Sequence, residues 1–189
     1  MSTKSTKNTK ELQPDVEGVR KRAREHIESG AVTAGYRGDR QEVIARLNQA
    51  LATEVVCGLR YRLHYFMAQG LEAKAIAAEF LEHSENERAH ADLLARRIVQ
   101  LNGEPNFNPK GMLERSHSEY VGGAMLVDMI REDLIAERVA IDSYSAMIRY
   151  IGDDDPTTRR LLEQILADEE NHAEELAALM TARRSVPAN

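Results

Sequence analysis

The sequence predicts an all-α protein: an antiparallel four-helix bundle with a long crossover between its second and third helices. Three observations carry this. The chain of 189 residues is 30% charged, lacks tryptophan and holds long Ala/Glu/Leu/Arg-rich runs, the composition of extended helices. Four runs repeat apolar positions at steps of three and four, which marks one buried face of each helix. Finally, the four runs form two hairpins in one frame. Each hairpin pairs a stripe bearing a lone Glu with a stripe bearing Glu-x-x-His, and the Glu-to-Glu separations are 33 (Glu54 to Glu87) and 32 (Glu137 to Glu169).

The N-terminal segment, residues 1–38, is expected to be a basic tail with one short helix. Met1 to Gln13 is rich in Ser, Thr and Lys with nothing to bury, and is expected to be disordered. Its lysines suit either a solvated terminus or contacts to the phosphates of DNA, which need no fold and weaken with salt. Asp15 to Ser29 reads as a short helix with Val16, Val19, Ala23 and Ile27 on one side and Gly30 ending it. Residues 1–40 carry nine Lys/Arg against six Asp/Glu, a net of +3, so the remainder carries −9 within the total of −6. A basic arm on an acidic body follows.

The bundle is expected over residues 39–184. Helix one starts at Asp39, where Glu42 completes a capping box, and runs to Gln69. Helix two covers Glu72 to Leu101 and is closed by Asn102, Gly103 and Pro105. A connection of about twenty residues, Asn102 to Gly123, then has to return along the bundle, because both hairpins must bring their Glu residues to one level. A helix of about thirty residues is about 45 Å long, and about twenty extended residues span it. Leu113 to Tyr120 suggests a short helix on the way. Helix three covers Ala124 to Ile151, and helix four follows the Gly152–Pro156 breaker from near Thr157 to Arg184.

Composition excludes several classes. No apolar run is long enough to span a membrane, and the polar N-terminus lacks the apolar centre of a signal peptide, so a cytoplasmic protein is expected. The single Cys57 excludes an intrachain disulfide and a four-cysteine iron site; beside the buried stripe it reads as packing.

The stripes themselves carry the chemistry. Helix two reads Ile76, Phe80, His83, Glu87, His90, Leu94, Leu101, and helix four reads Leu162, Ile165, Glu169, His172, Leu176, Leu179. Helix one reads Ile44, Leu47, Leu51, Glu54, Gly58, Tyr61, Tyr65, and helix three Val127, Ile130, Leu134, Glu137, Ile141, Tyr144, Ile148, Ile151. Four carboxylates and two imidazoles thus aim into one core. Buried carboxylates in that number require cations. The set matches a dinuclear metal centre in which Glu87 and Glu169 bridge, Glu54 and Glu137 each cap one metal, and His90 and His172 each bind one. Tyr61 and Tyr144, each seven residues after a lone Glu, are expected to hydrogen-bond the bridging carboxylates of the opposite hairpin. His83 reads as a hydrogen-bonded core residue rather than a further ligand, and His26, His64 and His117 as surface residues.

With these residues in hand, Val43 to Leu179 resembles the bacterioferritins and their ferritin-like relatives. The resemblance lies in TEVVCGLRY (Glu54 to Tyr61), Glu87-Arg-Ala-His90-Ala-Asp, Leu101-Asn-Gly-Glu-Pro-Asn, Asp133-Leu-Ile-Ala-Glu137 and Ile165-Leu-Ala-Asp-Glu169-Glu-Asn-His172. It implies a ferritin-like four-helix bundle with two iron ions per subunit, manganese being the alternative. It implies a ferroxidase that oxidises Fe(II) with O₂ or H₂O₂ and stores Fe(III) inside an oligomeric shell. Bacterioferritins hold haem through a methionine directly after the Glu of the first Glu-x-x-His; Arg88 stands there, so haem is not expected. The chain leaves no residues for the fifth helix of the 24-subunit shells, so a dodecamer is favoured. The lysine tail and the long connection are similar to the Dps group of DNA-binding twelve-subunit cages. Two alternatives therefore stand beside iron storage: a DNA-binding stress-protection protein, and a di-metal peroxidase or catalase without mineral.

Overall fold

A computed structural model of the chain describes residues 15–68, 70 and 73–184. The lysine-bearing stretch Met1 to Gln13 lies outside the described residues. The chain divides into two compact units, one ending at Tyr36 and one beginning at Arg37. In the first, helix α1 (Val16–Arg22) starts where Asp15 Oδ1 accepts the Gly18 N–H at 2.9 Å. A 3₁₀ turn over Ile27–Ser29 follows, entered through His26 in the left-handed region at φ 51°. The helix is shorter than the sequence suggests, and the side formed by Val16, Val19 and Ile27 is exposed.

The second unit is a bundle of four long helices. Helix α2 (Arg40–Met67) opens on Asp39, whose Oδ1 accepts the Glu42 N–H at 3.1 Å. The full capping box does not form. The Glu42 carboxylate turns instead to Arg46 Nη2, 2.7 Å away, because an arginine at i+4 offers a charge that the N-cap backbone does not. Helix α3 (Ala73–Gln100) returns antiparallel to α2. The helix ends expected at Gln69 and Glu72 fall outside the described residues. At its C-terminus Asn102, at φ 59°, takes the left-handed stop, and the Gly103 N–H reaches back to Ile98 O at 2.9 Å.

The crossover then climbs along α2 from its start to its end. Asn48 Nδ2 donates to Glu104 O at 3.2 Å and the Asn106 N–H donates to Asn48 Oδ1 at 2.7 Å. Higher up, the His117 N–H donates to Thr53 Oγ1 at 2.9 Å, and Arg60 Nη1 donates to Glu119 O at 2.7 Å. Its only helical turn is α4 (Met112–Arg115), shorter than the segment Leu113 to Tyr120 suggests. From Ser116 onward the backbone groups bond to α2 and to nearby side chains instead.

Helix α5 (Leu126–Ile151) therefore begins beside the end of α2 and runs antiparallel to it, so that Arg60 meets Asp133 and Glu54 meets Tyr144. Its buried face includes Met129, Asp133, Ala136, Ala140 and Met147, while Leu134, Ile141 and Ile148 are only half-buried. The face is rotated from the hydrophobic stripe because Asp133 is drawn inward by two partners on α2, Arg60 Nε at 2.9 Å and His64 Nδ1 at 2.7 Å. His64, which the sequence pattern places at the surface, is fully buried; its Nε2 faces Gly122 O at 3.1 Å. The turn to α6 (Pro156–Arg184) passes through Gly152 at φ 52°, a conformation that favours glycine. Asp155 caps α6 through the Thr158 N–H at 2.9 Å and also receives Arg97 Nη2 of α3 at 2.8 and 3.0 Å. An apolar cluster of Tyr61, Ile76, Phe80, Met129, Ile130 and Leu176 fills one end of the bundle. Among the described residues no helix is long and apolar enough to cross a membrane.

Candidate metal centre

The four long helices deliver all six predicted ligands to one level: Glu54 from α2, Glu87 and His90 from α3, Glu137 from α5, and Glu169 and His172 from α6. Each is buried. They fall into two groups, Glu54–Glu87–His90–Glu169 and Glu87–Glu137–Glu169–His172, in each of which one donor atom per residue lies within 4.8 Å of all the others. Glu87 and Glu169 belong to both. His90 Nδ1 lies 3.0 Å from Glu169 Oε1 and 3.2 Å from Glu54 Oε2, and only the second contact has hydrogen-bond geometry. His172 Nδ1 lies 3.5 Å from Glu87 Oε1, 3.7 Å from Glu169 Oε2 and 3.9 Å from Glu137 Oε1.

The donor set fits a pair of cations. Glu87 Oε1, both oxygens of Glu169 and His172 Nδ1 are buried without a hydrogen-bond partner. Such orphaned groups are expensive unless something in the core takes their lone pairs. Protonation shows the same need. Burial, then the charge of Glu169, pushes the Glu87 and Glu137 carboxyls well above the ordinary range. Burial alone would raise Glu169 too, but the imidazoles of His172 and His90 hold it below. Burial opposes a charged His90, yet the Glu169 and Glu54 carboxylates outweigh it and push the ring up to about 10. Without cations the cluster must therefore hold protons, which binding of divalent metal would displace.

The ferritin-like domain family matches residues 44–185. The chain belongs to this ferritin-like family. The bacterioferritin of Mycobacterium avium is 32% identical over 136 residues, 71% of this chain and 81% of that protein. The bacterioferritin of Brucella melitensis is 33% identical over 133 residues, 69% of this chain and 78% of its own length. Among solved structures, the dodecameric thioferritin described as the bacterioferritin-related protein from Bacteroides fragilis superposes with a TM-score of 0.74 at 31% identity, covering 77% of this chain and 88% of that one. Dps from Thermosynechococcus elongatus shares the fold, with a TM-score of 0.71 at 21% identity over 74% of this chain and 90% of that one.

Around its six acidic and imidazole groups this ferritin-like chain builds a supporting layer that the sequence revealed only in part. Tyr61 and Tyr144 do bond carboxylates of the opposite hairpin, but not the two shared ones. Tyr61 Oη donates to Glu137 and Tyr144 Oη donates to Glu54. The antiparallel pairing of α2 with α5 sets this: each tyrosine sits two turns beyond its own lone Glu and so lies level with its partner's. Gly58 allows α3 to approach, since a Cβ there would stand 3.2 Å from the Cβ of Glu87. His83 stacks on His172 with ring centroids 4.1 Å apart, and its Nε2 bonds Glu175 at 2.9 Å. Two positions were missed. His90 Nε2 faces Asp168 Oδ2 at 3.3 Å and His172 Nε2 faces the Asn86 side chain at 3.3 Å. Asp168 and Asn86 each lie one residue before a Glu of the Glu-x-x-His pairs, a spacing visible in the sequence but indistinguishable there from that of a side chain facing solvent. A cavity of about 310 Å³ between α3 and α6 reaches both imidazoles. Cys57 is buried beside the centre, and burial raises its thiol far above the ordinary range, which keeps it protonated.

Proposed function

We propose that the chain is a cytoplasmic ferroxidase and iron-storage subunit whose substrate is Fe(II), bound in pairs by Glu54, Glu87, His90, Glu137, Glu169 and His172. The observation that carries this is the overlap of two four-residue donor groups on Glu87 and Glu169, all from one chain. The shared carboxylates would bridge, and Glu54 with His90 and Glu137 with His172 would complete one ion each. Two Fe(II) supply two electrons, which with two protons convert O₂ to H₂O₂ or H₂O₂ to two waters; four carboxylates favour the Fe(III) product. Tyr61 and Tyr144 hold Glu137 and Glu54 in orientation through their hydroxyl hydrogens. With metal bound, Asp168 would accept the His90 Nε2–H, and an Asn86 amide turned with its oxygen toward His172 would play the same part, so that each Nδ1 would offer its lone pair to an ion held among the carboxylates.

Storage of the product requires a closed shell. The likeness to a dodecameric protein supports twelve copies as the assembly. The same ligand set would accept manganese. Stopped-flow oxidation of Fe(II) by the purified protein, with its metal content, tests the reading. Rapid formation of Fe(III) at two irons per chain is the expected result. Bound manganese with peroxide turnover and no Fe(II) oxidation would replace the reading with a di-manganese peroxidase.

A further inference from the structure

Where α3 and α6 run together, two cavities lie end to end and share Leu93 and Gln164. One is the acidic mouth of the metal centre. The other, of about 530 Å³, sits between the last turns of α3 and the first turns of α6. It is lined by three guanidinium groups, Arg96, Arg97 and Arg160, with polar side chains from Gln100, Thr157 and Gln164 and, among the described residues, no carboxylate. The spacing is helical: Arg96, Arg97 and Gln100 share one face of α3, and Thr157, Arg160 and Gln164 one face of α6. Arg97 is fixed in place, with Nε donating to Thr158 Oγ1 at 2.7 Å, Nη1 to Gln100 at 3.1 Å and Nη2 to Asp155. Arg96 and Arg160 are exposed, and among the described residues neither has a carboxylate partner. In a chain of net charge −6 this is a local excess of positive charge, and planar guanidinium donors match tetrahedral oxyanions.

We propose that this pocket binds an oxyanion, inorganic phosphate, and holds it beside the mouth of the metal centre. Among the described residues no aromatic ring lines the cavity to stack a base, so the pocket fits the anion rather than a nucleoside. Its use rests on the ferroxidase reading: iron that enters the groove from the metal centre meets a counter-anion already in place at the Leu93–Gln164 junction, and the two deposit together.

Calorimetric titration of inorganic phosphate into the iron-free full-length protein tests the site. The double variant R96A/R160A, which leaves Arg97 and its structural bonds intact, is expected to bind phosphate at least about tenfold more weakly than wild type, with unchanged circular dichroism, native mass and initial rate of Fe(II) oxidation. On loading iron in phosphate buffer, the variant is expected to incorporate less phosphate per iron. Equal affinity in the two proteins, or no binding by wild type, overturns the proposal. A changed native mass in the variant also overturns it, by making the pocket a subunit contact. Duplex DNA bound by wild type and lost from the variant would reassign it to a polyanion. Arginine-dependent phosphate binding in a protein that fails to oxidise Fe(II) would keep the site and discard the ferroxidase reading.

Discussion

At Glu87 and Glu169 the carboxylates are almost wholly buried and hold oxygens without a hydrogen-bond partner. A Glu87→Gln substitution keeps the shape and removes one of the two carboxylates shared by both donor groups. Rapid Fe(II) oxidation is expected to fall by at least about a hundredfold, since loss of even a supporting partner costs 10–100-fold. The metal-free variant should melt no lower than wild type, because like-charge repulsion is relieved. Wild-type oxidation rates in a folded Glu87→Gln protein would remove the assignment. The same groups set a pH dependence for the metal-free chain. His90 is held protonated to about 10 in the folded state against 6.5 ordinarily. Folding therefore retains that proton between those limits, and the stability it contributes is full below 6.5 and lost as pH rises toward 10. Glu87 and Glu137, raised above 4.5, act in the same direction from 4.5 upward. Glu169, held below 4.5, loses its contribution only on the acid side. The melting temperature of the chelated protein is expected to fall from pH 6.5 to 9, and saturating divalent metal should flatten the curve; a rise over that range without metal would contradict it. The burial and clustering of the six candidate ligands could be read from the sequence because a charged residue on an apolar stripe stands out at helical spacing. Asp168 and Asn86 could not, since a polar residue at the margin of a stripe looks the same whether it orients an imidazole or faces water. The tyrosines were legible as partners but not their targets, which depend on how α2 and α5 slide past one another.

The helices were legible from period, breakers and caps; what escaped was everything decided by ion pairs between elements. Arg60, Asp133 and His64 are all buried, and together they bind α2 to α5 and to the crossover carbonyls of Glu119 and Gly122. Hydropathy assigns such residues to the surface, so His64 was misplaced and the α5 face was rotated. Removal of Asp133 strands the buried Arg60 guanidinium and takes the hydrogen-bond partner from the buried His64 Nδ1. Asp133→Ala is therefore expected to cost about 3–5 kcal/mol, read as a lower urea midpoint at unchanged slope, and to loosen the crossover, read as faster amide exchange over 116–123. A loss below about 1 kcal/mol would mean that water satisfies Arg60 and His64 without help. The second joint, Arg97 with Asp155 and Thr158, ties α3 to the start of α6 in the same way and doubles as the N-cap.

At the scale of the whole molecule the helical bundle leaves apolar side chains exposed: Leu59, Phe66 and Met67 on α2, Val99 on α3 and Phe107 on the crossover are each about half exposed or more. Single exposed apolar residues are ordinary, but three on one helix, with Phe107 and Leu59 lining a common cavity with Val55 and Ala91, suit burial against a second copy of the chain. Arg62 and Arg88 flank that cavity and both bond Glu85, giving the apolar centre a charged rim of the kind that surrounds subunit interfaces. Symmetric contacts of this kind close a shell only if a second and a third surface are also used, so loss of one contact should stop assembly at a smaller species rather than unfold the chain. Twelve copies of the 21.2 kDa chain would give a particle of about 250 kDa. The substitution Leu59→Glu, at an exposed side chain of α2 that is not one of the six candidate ligands, is expected to reduce that mass while leaving helicity intact. Because all six candidate ligands belong to one chain, the proposed centre predicts that the variant still oxidises its first two irons per chain at near the wild-type rate. Iron beyond that stoichiometry should precipitate instead of staying soluble. Native mass spectrometry with iron titration checks both parts. A Leu59→Glu particle of undiminished mass would place the subunit contact elsewhere, and loss of the first two oxidation events in a folded small species would show that the centre needs a neighbour.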